Sequence, residues 1–111
     1  MVYVSGAITP TAEFPSIEEN SRRFYDKTFE LFMEGFSVYC PRQAWMDDHP
    51  IYGKVLTTDK YGDLYEKILA MDMEIIRRVD ALYMMRGWEH SKGAKREHDY
   101  ALSLSLPVSY E

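Results

Sequence analysis

Four short apolar runs rich in β-branched and aromatic residues alternate along the chain with three stretches of helical periodicity, and this alternation does most to narrow the fold. The first run, Val2-Tyr3-Val4, stops at Gly6 and leads into turn-rich residues 10–15. Ser16-Ile17-Glu18-Glu19 then reads as a capping box. Ser16 is placed to accept from the third backbone amide of a helix and Glu19 to reach back, and the periodic segment that follows runs to a glycine stop at Gly35. Residues 37–39 make a second strand ended by Pro41, while residues 42–60 lose the pattern. That segment is polar, holds Pro50 and Gly53 with Trp45 and Tyr52 between other side chains, and suits an irregular lid or short helices. Tyr65, Ile68, Leu69, Ile76 and Val79 fall at helical spacing, and residues 81–85 are a continuous apolar run suited to a buried strand. A loop over 87–93, a third helix over 94–104 and a final strand over 107–110 complete a βαβαβαβ order. This order predicts an α/β fold, a small Rossmann-like or flavodoxin-like three-layer sandwich whose parallel sheet of about four or five strands carries helices on both faces.

At 111 residues the chain is read as one domain spanning residues 1–111, with room for a single core and a single site. Charged residues make up 28%, which excludes a membrane-embedded chain, and the first apolar run is too short and lacks the basic flank of a signal segment. The lone Cys40 has no disulfide partner and fits a reducing, cytoplasmic compartment. No Cys/His spacing suggests a metal site, no Walker or Rossmann glycine pattern occurs, and no cofactor is expected. His49, His90 and His98 share no ligand spacing and are read as exposed. A net charge of −5 argues against a nucleic-acid polymer as partner, because nonspecific affinity needs clustered cations, but it leaves room for a small nucleotide in a local pocket.

Two carboxylates sit where apolar side chains belong. Asp72 lies in the middle of the Ile68, Leu69, Ile76, Val79 stripe, and Glu97 shares a face of the third helix with Ala94, Ala101 and Leu104. A buried carboxylate must be paired, hydrogen-bonded or part of a polar cavity, so each is either a structural hydrogen-bonding group or a site residue. Helical side chains lean toward the N-terminus, which carries Glu97 back toward the 87–93 loop. Ser91 caps that helix, and Gly93 permits close backbone approach, a pair that can also receive an anion. In an open α/β sheet the ligand sits at the carboxyl ends of the strands, here the loops after strands one and three. Lys92, Lys95 and Arg96 read as a solvated face.

Taken together, Tyr3-Val4-Ser5-Gly6-Ala7-Ile8, Asp72 with Asp80, and Ser91-x-Gly93-x-x-x-Glu97 resemble the nucleoside 2-deoxyribosyltransferase superfamily, especially its 2′-deoxynucleoside 5′-phosphate N-hydrolases. Gly87-Trp88-Glu89 followed by Ser91, Gly93 and Ala94 resembles a group of small bacterial and phage proteins placed in that superfamily. The resemblance implies a retaining double displacement at C1′ of a nucleoside or its monophosphate. Glu97 matches the nucleophile, Asp72 the group that protonates the departing base or binds the sugar, and Tyr3 the residue that positions the nucleophile. Ser91 and Gly93 match phosphate contacts, Ser5, Gly6, Ala7 and Trp88 fall at the substrate-binding positions, and Asp80 is expected to be structural. The resemblance also implies a homo-oligomer. Where the monophosphate hydrolases carry an arginine this sequence has Thr9, so a phosphate grip would fall to Arg42, Arg86 or Lys92. The sequence stops at Glu111, before any segment that would complete a neighbour's site, which implies a simpler site or a lost activity. Two rival readings are a non-catalytic nucleotide-binding or sequestering module, and an interaction protein whose tyrosines and methionines form an interface with no ligand-sized pocket beside Glu97.

Overall fold

The β-branched and aromatic run after Met1 forms β1, Val2–Ser5, at the centre of a four-stranded sheet. The structure is a computed structural model and describes residues 1–7, 10–41 and 62–111. The expected lid at 42–60, with Arg42, Trp45, His49 and Tyr52, and the positions of Ile8 and Thr9 lie outside the described residues, as does the side chain of Tyr65. After β1 come α1 (Ile17–Met33), β2 (Val38–Tyr39), α2 (Gly62–Ile76), β3 (Ala81–Met84), a short 3-10 turn at Trp88–His90, α3 (Lys92–Ser103) and β4 (Val108–Tyr110). The strand order is β2-β1-β3-β4 and every pairing is parallel. The α/β expectation of a small Rossmann-like sheet holds at four strands.

The helix ends follow from local chemistry. The Ser16 hydroxyl accepts from the Glu19 amide at 3.2 Å, the N-cap half of the expected capping box. At the other end of α1, Gly35 takes φ +100° and the amide of Phe36 bonds back to the Leu31 carbonyl at 3.1 Å, a Schellman stop that glycine enters without Cβ strain. Ser91 caps α3 by accepting from the Ala94 amide at 3.2 Å. That helix therefore begins at Lys92, earlier than its apolar periodicity alone predicts, and the expected 87–93 loop contains the 3-10 turn. Val79 lies past the end of α2 but is still buried, because the turn into β3 carries it back onto the core.

Alternation along β1 divides the core in two. Tyr3 joins Leu82, Met84, Ile76, Ala94 and Ala101 in the cluster between the sheet and α2 and α3. Val4 points the other way, into a cluster with Phe24 and Leu31 of α1, Cys40 and Met85. Helices thus cover both faces, and every odd-numbered residue of β1 faces the α2/α3 side. This parity puts Tyr3 and Ser5 where Glu97 and Asp72 also point.

Candidate functional site

The parallel register aligns Ser5 with Met84, so β1 and β3 end at the same level, and α3 packs against both strands. Glu97 sits one turn into α3 and is 6% exposed; Asp72, from α2, is 5% exposed. Tyr3 and Ser5 are buried beneath them. The Ser5 hydroxyl donates to Glu97 Oε1 at 3.4 Å, a long bond, while Glu97 Oε2 and the Tyr3 hydroxyl are buried without a hydrogen bond of ordinary geometry. The two carboxylates expected from periodicity to face inward therefore do so from different helices, on the side of the sheet that holds Tyr3 and Ser5.

The electrostatics follow from this geometry. Burial first, and the charge of Asp72 second, push the Glu97 carboxyl from 4.5 up to about 8, against smaller opposing effects of the Tyr3 and Ser5 hydroxyls. Burial, and then Glu97 and Asp72, hold the Tyr3 phenol well above its ordinary range. Near neutral pH Glu97 therefore keeps its proton. The proton-holding carboxyl is thus the one matched to the nucleophile, whereas the resemblance implies that role for Asp72.

Tyr39 is a site residue that the sequence reading missed. It pairs in register with Tyr3, and the two rings stack at 5.5 Å and 19°. Its phenol is pushed up to about 12, by burial first and then by Asp72, Cys40 and Glu97. Tyr39 is half-buried, on the more open edge of the group. Its signal was available, since a residue at the carboxyl end of a strand adjoining β1 belongs to the same rim.

The remaining expected site residues are distributed around this centre. Gly6 and Ala7 are buried at the end of β1, and a Cβ on Gly6 would lie 2.9 Å from that of Met85, so this glycine serves close packing between the strand ends. Ser91 and Gly93 sit at the start of α3, with Gly93 buried. Trp88 is half-buried, with its ring packed on the His98 imidazole at 4.2 Å and Tyr110 at 6.0 Å. His98 corrects the expectation of an exposed side chain. It is buried, with Nε2 2.7 Å from the Tyr110 hydroxyl and Nδ1 3.3 Å from Asp99, because Trp88 and β4 cover a second flank of α3. His90 is exposed as expected. Lys92, Lys95 and Arg96 are exposed, and Arg96 pairs with Glu66 at 3.0 Å. Asp80 pairs with the amino group of Met1 at the opposite end of the strands, a structural role.

Arg86, one of the residues expected to replace the missing arginine grip, lies just beyond β3. Its guanidinium is 3.8 Å from Glu13, and its backbone amide donates to Glu111 at 2.8 Å. Next to it Gly87 takes φ +90° against the Phe14 ring, where a Cβ would come within 2.4 Å. The loops after β1 and β3 are thereby fastened together at the rim. Among the described residues, no three His, Cys, Asp or Glu side chains converge as a metal cage, and no helix is long and apolar enough to cross a membrane.

Comparison with curated proteins and with solved structures finds no match. A family model described as Domain of unknown function (DUF4406) does match, over residues 1–110. With nearly the whole chain covered, the protein belongs to the DUF4406 family.

Proposed function

We propose that the protein cleaves or transfers at the N-glycosidic bond of a nucleoside or nucleotide through a covalent glycosyl ester on Glu97, as an enzyme of nucleotide metabolism. The observation that carries this reading is the pair of buried carboxylates, Glu97 and Asp72, brought from separate helices to the side of the sheet where Tyr3 and Ser5 point. In the reaction the Glu97 carboxylate attacks C1′, the C1′–N bond breaks with its electron pair leaving on the base, and Asp72 delivers a proton to that nitrogen. Water or a second base then attacks C1′, the C1′–O bond to Glu97 breaks to release its carboxylate, and the proton lost by the attacking group returns to Asp72. Glu97 keeps its proton near neutral pH beside a second buried carboxyl group, and the reaction needs one acid and one free carboxylate from such a pair. Binding of the sugar must move the proton off Glu97, toward Asp72 or the departing base. Ser5 and Tyr3 assist, since both hydroxyls favour the ionised form of Glu97. A cytoplasmic setting accords with the single buried cysteine, Cys40.

The test is chromatography of free bases after incubation with the four deoxynucleosides, the ribonucleosides and their 5′-monophosphates, with and without an acceptor base. Release or exchange by the parent, abolished in Glu97→Ala, is the expected result. Release without acceptor marks a hydrolase, and release only with acceptor a transferase. The proton resting on Glu97 favours one second reading, a nucleotide-binding module without turnover. It requires nucleotide binding that survives Glu97→Gln and no product from the parent.

A further inference from the structure

α1 buries Phe24 and Leu31 against the sheet, yet it also carries large apolar side chains on its outer face. Phe29 and Phe32 are each 64% exposed, Met33 is 67% exposed, and Phe36 just beyond the helix is 48% exposed. Phe29, Phe32 and Met33 stand three and four residues apart as a stripe on one face of the helix, and Phe36 follows just past its glycine stop. Beside the stripe runs an open groove of about 240 Å³ between α1 and the edge strand β2, walled by Tyr25, Thr28 and Val38 as well as Phe29 and Phe32. The charged residues Arg22, Asp26, Glu30 and Glu34 are exposed along the other side.

We infer that this face is the interface with a second copy of the same chain. Taking an aromatic side chain to present about 200 Å², the four residues expose on the order of 450 Å² of apolar surface. That is at the scale where exposed patches mark interaction sites. A standard interface buries about 800 Å² on each partner, of which roughly 65% is apolar in homodimers, so the patch supplies most of the apolar share of one such interface. A two-fold contact requires one surface to present both the projecting groups and their receptacle. Here Phe29 and Met33 project beside a groove open enough for an aromatic ring, and the charged border supplies a polar rim. The face lies on the α1 side of the sheet, opposite Glu97 and Asp72, so the second copy neither completes nor blocks the carboxylate site.

Sedimentation velocity tests this on the full chain. The parent is expected at twice the chain mass of 13.1 kDa. Phe29→Glu with Phe32→Glu is expected at the monomer mass, with an unchanged far-ultraviolet circular dichroism spectrum and the dimer weakened at least about 100-fold. Leu102→Glu, the same kind of apolar-to-charged change at an exposed residue of α3, is expected to leave the dimer intact. A monomeric parent, a double variant that stays dimeric, or a Leu102→Glu variant that dissociates overturns the inference.

Discussion

Replacing Glu97 by glutamine is expected to raise the unfolding temperature at pH 8 by on the order of 10 °C, and to leave it nearly unchanged at pH 4.5. In the unfolded chain this carboxyl titrates near 4.5, and in the folded protein near 8. Below 4.5 both states carry the proton and the group has no effect. Between the two values the folded protein keeps a proton that the unfolded chain has released, so stability falls by about 1.4 kcal/mol for each pH unit gained. Above 8 both states are ionised and the whole penalty, about 3 to 5 kcal/mol, is present. Glutamine has nearly the same shape, still accepts from Ser5, and has no charge to bury. Thermal unfolding of both proteins across this range measures the effect. Equal unfolding temperatures at pH 8, or a difference that does not grow with pH, would contradict the buried, proton-holding Glu97. A stability gain at the residue assigned to the chemistry is what a site that stores an unfavourable charge should show.

Asp72→Asn is expected to lower base release from ordinary purine deoxynucleosides by roughly 10²–10⁴-fold, the usual contribution of a general acid. The loss should nearly vanish on an N7-methylated purine deoxynucleoside, whose base already carries positive charge and leaves without a proton. A structural role for Asp72 predicts equal loss on both substrates, so the ratio of the two rates separates the readings. The substitution also withdraws the charge that is the second cause of the raised Glu97 value, so Glu97 should ionise at lower pH in this variant. If both substrates suffer alike, Asp72 is not the acid.

Much of the architecture was legible because its signals are local. The capping box at Ser16 and the glycine at Gly35 bound α1 through contacts within a few residues. The inward placement of Asp72 and Glu97 followed from helical periodicity, since an apolar stripe has to face a sheet. What periodicity could not supply was the identity of each neighbour. His98 is 100° around α3 from Glu97, and only the arrival of Trp88 and Tyr110 from elsewhere in the chain buries it. Tyr39 is legible as a strand-end residue of the rim, but its stacking on Tyr3 depends on β2 pairing with β1, a long-range property that no local pattern encodes. The same limit applies to α1, where Phe24, Phe29, Leu31 and Phe32 are chemically alike and only the direction of the sheet decides which face is covered.

The most direct test of the central claim is the intact mass of the protein after incubation with 2′-fluoro-2′-deoxynucleosides. The fluorine destabilises the oxocarbenium-like transition state, slowing both formation and hydrolysis of a glycosyl ester, and leaves the ester to accumulate. A mass gain equal to the fluorinated sugar, located on the peptide containing Glu97 and absent from Glu97→Gln, is the predicted result. An unchanged mass across purine and pyrimidine probes, or an adduct on any other residue, would contradict it.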